Sequence, residues 1–209
     1  MTDDEITAAL RGFAVPTLAE ATPPACDLPP EIRQLVPGTS MVGTAFTVRC
    51  PVGDNTAVTR AVGEAKAGDV IVIDTGGGTR SAVWGDTAST ACQMKGVVGC
   101  VTNGRARDID EIAVLRFPVY AIGLALRGST KGQPGETNTP IAIGDVVIHP
   151  GDFICGGPDG VLVVPHAQAE AVMEEAGKKK AVKQYSWDRI TDQLISVYEE
   201  VIDEHRCRN

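Results

Sequence analysis

Aromatic residues make up only 4% of this 209-residue chain, and positive charge is outnumbered: 19 Lys and Arg stand against 27 Asp and Glu, a formal net charge of −8. Nucleic-acid binding relies on clustered Lys and Arg to neutralise phosphates, so no nucleic-acid partner is expected. The one basic run, Lys178-Lys179-Lys180, lies beside Glu174 and Glu175 and reads as a solvated helix face. The six cysteines, at positions 26, 50, 92, 100, 155 and 207, contain no CxxC pair and no short-spaced framework. They read as reduced thiols. No run of about 18 apolar residues occurs anywhere, and the opening MTDDEITAAL is acidic, with no apolar leader core. Neither secretion nor membrane spanning is expected, and the expected location is the cytoplasm.

What the chain does have is glycine, 23 residues of it, and 43% hydrophobic composition, enough to bury one substantial core. Abundant glycine suits tight strand-to-helix turns and backbone that approaches a small polar ligand closely. The pattern predicts a helix near residues 3–11, a proline-broken, loop-rich lead-in through VPTLAEATPPACDLPP, and a strand at 43–50. A helix opened by Asp54 or Asn55 and stopped near Gly68 follows. DVIVID (69–74) is a continuous β-branched run, as expected of a strand buried on both faces. DTASTACQMK (86–95) reads as a short helix with Asp86 at its N-cap, a Lys in its last turn and Gly96 past its end. A strand at 97–104, a helix at 108–116 and a strand at 118–123 complete a β-α-β-α-β unit with parallel pairing. Turn signals at Gly144-Asp145, Pro150-Gly151-Asp152 and Asp159-Gly160 predict antiparallel hairpins, and two helical segments broken near Tyr185-Ser186 end the chain.

In such a unit the carboxyl ends of the strands share one edge, and ligands bind in the crevice outside it. Asp86 follows the strand at 69–74, and Arg107-Asp108 follow the strand at 97–104, so all three are expected in one crevice. The amides of Thr87 and Ala88 open a helix at the same edge and suit an anion. Arg107 offers a planar fork for a carboxylate or an enolate oxygen. Asp86 and Asp108 supply oxygens suited to Mg²⁺ or Mn²⁺. The chemistry this suggests is retro-aldol cleavage or β-decarboxylation of a 2-oxo acid, with the ion and Arg107 stabilising the enolate. Taken singly, Asp86 reads as a plain helix cap and Arg107-Asp108 as a surface ion pair; their convergence is what favours a site. The loop DTGGGTR lacks both the GxGxxG spacing and a phosphate-gripping Lys, and reads as backbone shaping the crevice. His149, His166 and His205 read as structural or surface groups, and Trp84 as either a wall of the crevice or a core anchor.

The stretch GDVIVIDTGGGTRSAVWGDTASTACQMKGVVGCVTNGRARDIDEI (68–112) resembles the RraA-like family, which includes 4-hydroxy-4-methyl-2-oxoglutarate aldolases with oxaloacetate decarboxylase activity. Asp86, twenty intervening residues and Arg107-Asp108 reproduce that family's D-x20-R-D pattern, and the similarity runs from about VPTLAEA (15–21) to GVLVVP (160–165). The resemblance implies an α/β, swivelling β/β/α domain over 1–165, with a C-terminal helical extension over 166–209 packing on the same or a neighbouring subunit. It also implies a homotrimer or hexamer with sites between subunits and a Mg²⁺ or Mn²⁺ cofactor. It assigns the metal to Asp108, the pyruvoyl group to Arg107 and the turn Gly85, Asp86, Thr87 and Ala88, and metal-bound waters to Asp86. The alternative it offers is a non-catalytic regulator of an endoribonuclease. Two departures stand out: KKKAVKQ (178–184) where many such aldolases carry an acidic cluster, and GGPDGV (156–161) where they often read GDxDGV.

Overall fold

The structure, a computed structural model, describes residues 1–78, 80–185, 191 and 194–199. Its centre is a run of parallel strands whose order follows the sequence reading. Strands β2 (Met41–Arg49), β3 (Asp69–Asp74), β5 (Gly99–Thr102) and β7 (Val119–Ala121) lie side by side in the order β7-β5-β3-β2, all parallel. Helices α3 (Thr56–Glu64), α4 (Asp86–Met94) and α5 (Ile109–Leu115) make the crossovers. β3 shows why its sequence is a β-branched run. Ile71 and Ile73 point into one core shared with α3, α4 and α5, while Val70 and Val72 point into a second core on the opposite face. Each such side chain contributes ~1.5–3 kcal/mol by leaving water, so any polar residue at the four positions would be costly.

The antiparallel part follows the predicted turns. Strands β9 (Ile141–Ile143) and β10 (Val146–Ile148) form a hairpin whose Ile141, Ile143, Val146 and Ile148 are buried while Ala142 and Val147 face out. Strands β11 (Phe153–Gly157) and β12 (Gly160–Val164) form another, and β11 pairs with β2. Short β8 (Glu136–Thr137) pairs with the far end of β2. The sheet nearly closes on itself. Asp27 bridges to Leu162 of β12, and a few residues later β1 (Arg33–Gln34) pairs with β7, so one segment ties the two opposite edges together. Bare strand edges invite pairing with other chains, and this segment covers them.

A third core lies under helices α1 (Asp3–Leu10), α2 (Val15–Ala21) and α6 (Ala169–Tyr185), where Leu10, Leu18, Val172 and Ala176 meet Phe153, Leu162 and Val164. α1 opens with a capping box: Thr2 Oγ1 accepts from the Glu5 amide and Glu5 accepts from the Thr2 amide. α2 corrects the expected loop-rich lead-in, because Pro16 falls in the first helical turn, where the missing N–H costs nothing. The lysine run is fastened within the chain: Lys178 pairs with Glu174 at 2.8 Å, and Lys180 Nζ donates to the Gly12 carbonyl above the Phe13 ring. The expected break near Tyr185-Ser186 lies outside the described residues. Among the described residues no helix is long and apolar enough to cross a membrane.

Candidate active site

The chain does not run straight from β3 into α4. It first forms β4 (Ala82–Trp84), which pairs in parallel with β6 (Arg105–Ala106), a two-residue strand that follows β5. Neither strand was expected from the sequence, and together they place the site. Gly85 and Asp86 leave the end of β4, Arg107 and Asp108 leave the end of β6, and the Arg107 amide donates to the Trp84 carbonyl at 3.1 Å. The two exits are therefore hydrogen-bonded neighbours. Trp84 fits both of its readings: it lines the cleft, and as a core anchor it is 2% exposed, stacks on Phe117 and donates from Nε1 to Ser89 Oγ at 2.8 Å. Ser89 Oγ in turn donates to the Gly85 carbonyl, which fixes the corner.

All six residues singled out in the sequence, Gly85, Asp86, Thr87, Ala88, Arg107 and Asp108, line one cleft of about 350 Å³. Two details differ from expectation. The N-cap of α4 is Gly85, and Asp86 is the first helical residue, with the Thr87 hydroxyl donating to Asp86 Oδ1 at 3.2 Å. Hydrogen bonding from Thr87, its amide foremost, keeps the Asp86 carboxyl below its ordinary value, with Asp108 and Arg107 also acting on it, so Asp86 is an anion across neutral pH. Ala88, in the same first turn, also lines the cleft, and first-turn amides of a helix have no helix carbonyl to pair with. Lys95, expected in the last turn, is the C-cap, and its Nζ donates to the carbonyls of Val62 and Gly63 at the end of α3.

Asp108 is the N-cap of α5 and sits in the left-handed region (φ 56°, ψ 45°), a conformation Asp tolerates better than most residues. The twist turns its carboxylate back over the β4 exit. A side-chain carbon at Gly85 would lie 2.8 Å from Asp108 Oδ2, so only glycine leaves room for this approach. Arg107 Nε pairs with Asp108 Oδ2 at 3.2 Å, and its Nη1 lies under Gly128, where a side-chain carbon would come within 3.1 Å.

Asp86 and Asp108 thus offer two hard oxygen donors to the same space. That donor set fits a Mg²⁺ or Mn²⁺ ion, which keeps several waters and asks little of the protein. Among the described residues no group of three or more His, Cys, Asp or Glu forms a complete cage.

The sequence reading missed a whole wall of the cleft. Residues 123–130 run alongside β6 and β4: Ala106 and Ala125 exchange backbone bonds with Gly123 and Ala106, and Ala82 and Ser129 with Arg127 and Ala82. This brings Gly128, Ser129 and Lys131 into the cleft, together with Asn55, Val58, Thr59 and Val62 of the α3 region. A Gly/Thr/Pro-rich composition carries no periodicity that would announce such pairing.

The family model described as RraA-like, Aldolase/RraA, matches residues 16–163 of this chain. The chain belongs to the RraA-like family. An RraA-like relative from Halalkalibacterium halodurans, named "Putative 4-hydroxy-4-methyl-2-oxoglutarate aldolase", is 36% identical over 199 residues, spanning 94% of this chain and 95% of its own. Among solved structures, Streptomyces coelicolor RraAS2, described as an unusual member of the RNase ES inhibitor RraA protein family, superposes with a TM-score of 0.81 at 25% identity. The match covers 90% of this chain and 100% of that one. The RNA-processing inhibitor RraA from Thermus thermophilis gives a TM-score of 0.67 at 27% identity, covering 73% and 93% of the two chains. The mixed α/β architecture with its nearly closed sheet is thus the RraA-like fold.

Proposed function

We propose that this chain is a divalent-metal-dependent lyase. It breaks the C3–C4 bond of a pyruvate-derived 2-oxo acid, by retro-aldol cleavage of a 4-hydroxy-2-oxo dicarboxylate, by decarboxylation of oxaloacetate, or by both. The observation that carries this reading is the convergence of Asp86, Arg107 and Asp108 in one cleft, two carboxylates beside a guanidinium at the mouth of a helix. The name of the Halalkalibacterium halodurans relative supports it.

In this reading the Ala88 amide and the positive end of α4 receive the substrate C1 carboxylate. Arg107 grips the C2 oxygen, more strongly as that oxygen gains charge when the C3–C4 bond breaks and its electron pair moves into the enolate. Asp86, anionic at neutral pH, orients a water that accepts the C4 hydroxyl proton in the retro-aldol direction, leaving a carbonyl at C4. The same water returns a proton to C3 to give pyruvate. With oxaloacetate the departing carbon leaves as CO₂ and only the C3 protonation is needed. Asp108 and Asp86 are the residues that would hold the ion, which when bound supplies Lewis acidity at the C1 and C2 oxygens. Lys131, which also lines the cleft, is the cation proposed to meet the second carboxylate of a dicarboxylic substrate.

A second reading rests on the solved relatives described as RNA-processing inhibitors: a regulator that binds a protein partner without turnover. One experiment separates the two. Purified protein is incubated with Mg²⁺ or Mn²⁺ and either oxaloacetate or 4-hydroxy-4-methyl-2-oxoglutarate, and pyruvate is followed. Metal-dependent pyruvate release from either substrate supports the lyase; none from both leaves the regulator. We also propose the homotrimeric or hexameric assembly that the family resemblance implies.

A further inference from the structure

The wall formed by residues 123–130 bears directly on Arg107. A side-chain carbon at Gly128 would lie 3.1 Å from Arg107 Nη1, 3.5 Å from its Cζ and 4.0 Å from its Nη2. The bare backbone of Gly128 is therefore the surface against which the planar end of Arg107 rests. A carbon at Gly85 would meet the same side chain nearer its root, 3.5 Å from Cγ and 3.7 Å from Nε. Two glycines thus flank the arginine, one at its stem and one at its fork, while Asp108 Oδ2 pairs with Nε at 3.2 Å.

Neither side of this contact is free to retreat. The residues before and after Gly128 are both bonded to Ala82, the first residue of β4. The Ala82 amide donates to the Arg127 carbonyl at 2.7 Å, and the Ala82 carbonyl accepts from the Ser129 amide and the Ser129 hydroxyl, each at 3.0 Å. The hydroxyls of Ser81 and Ser129 share a further bond at 3.0 Å. Arg107 is fixed from its own strand, by its amide on the Trp84 carbonyl and by Asp108. β4 therefore sets both glycines: it holds Gly128 in register at its start and delivers Gly85 at its end. The backbone of Gly128 does not itself demand glycine, because its φ is not positive; what excludes a side chain is the guanidinium.

We infer that Gly128 is a positioning residue: by lacking a side chain it seats the Arg107 fork where that fork meets the C2 oxygen of the substrate. The inference rests on the proposed lyase, since the charge growing on that oxygen is what makes the position of the fork matter. Gly128 touches no reacting atom in this reading and acts through Arg107. Its worth is geometric, and small displacements of a catalytic group cost rate steeply, up to about 10²-fold for 1 Å.

The test is Gly128→Ala, made alone and together with Arg107→Lys, with thermal melting to confirm folding. The added methyl requires the guanidinium to give by a few tenths of an ångström. For each variant, kcat and KM are measured with Mg²⁺ and oxaloacetate. Affinity for oxalate, a planar dianion shaped like the pyruvate enolate, is measured by calorimetry in the presence of Mn²⁺. Gly128→Ala should lower kcat ~10-fold with KM little changed, and weaken oxalate binding by a similar factor. In the Arg107→Lys background, which has no fork to displace, the same methyl should cause no further loss in either quantity. Wild-type kcat and oxalate affinity in Gly128→Ala would overturn the inference while leaving the lyase intact. An equal loss in both backgrounds, or a Gly128→Ala protein that does not fold, would also overturn it, because the glycine would then serve the wall and not Arg107. A wild-type protein that releases pyruvate from neither oxaloacetate nor 4-hydroxy-4-methyl-2-oxoglutarate would instead remove the lyase reading, and the inference with it.

Discussion

At the scale of the residue, the cleft divides labour between neighbours in the chain. Asp108 reaches the cleft because its backbone takes a left-handed turn and because Gly85 yields the space, whereas Arg107 lies more open, at 48% side-chain exposure. Asp108→Asn keeps the shape but loses the charge, so Mn²⁺ affinity measured by calorimetry should fall ~10-fold or more with the melting temperature little changed. Arg107→Lys keeps a charge but loses the planar fork. It should bind Mn²⁺ like wild type and release pyruvate from oxaloacetate ~10²-fold more slowly, and added metal should not restore the rate. These six positions were legible because a parallel unit sends every strand exit to one edge, whatever the details. Gly128 was legible only as one glycine of a Gly/Thr/Pro-rich stretch. Its place against the Arg107 fork follows from the pairing of Arg127 and Ser129 with Ala82, which no periodicity distinguishes.

At the scale of the element, the long or strongly patterned segments were readable and the short ones were not. β3 shows its two buried faces in six residues and β9–β10 their alternation, while β4 and β6, three and two residues long, are too short to show any period. The wall at 123–130 gains its structure from distant partners, and its tether is explicit. Asp54 Oδ2 accepts from the Gln133 amide at 3.2 Å, the Thr130 amide donates to the Gly53 carbonyl, and the Gly132 amide donates to Thr56 Oγ1. Asp54 therefore joins α3 to the segment that carries Lys131. Asp54→Ala should speed hydrogen exchange at the Thr56 and Gln133 amides and raise KM for a dicarboxylic substrate more than it lowers kcat. The Thr56 amide holds the Asp54 carboxyl below its ordinary value of 3.8. A depressed carboxyl stabilises the fold fully above that value and ceases to as pH falls through the lower folded one. In acid the Gln133 amide should lose protection at a lower pH than 3.8, a profile absent in Asp54→Ala.

At the scale of the whole molecule, three packed layers bury thiols that the sequence shows only as scattered cysteines. Burial pushes Cys50 up to about 11 and Cys92 and Cys155 up to about 12, from an ordinary value of 9.0. A raised thiol stabilises the fold fully below its unfolded value, and that contribution is lost as pH climbs toward the folded one. Melting temperature should drop steeply above about pH 9, and Cys92→Ala, though less stable at neutral pH from the cavity it leaves, should show a shallower drop. Light scattering should report a trimer or hexamer; a monomer at micromolar concentration would end the assembly proposal. The tie made by residues 27–34 bears on how the chain is made. Its two anchor points, β7 and β12, are synthesised long after it, and the second emerges only when residues 160–164 leave the ribosome. Until then the nascent sheet has one rim without its partner strand, and a contact spanning most of the sequence is slow to find. Birth is thus the moment of greatest danger for this protein: a chain stalled before β12 would present bare strand to its neighbours, and chaperone demand should end when that last strand arrives.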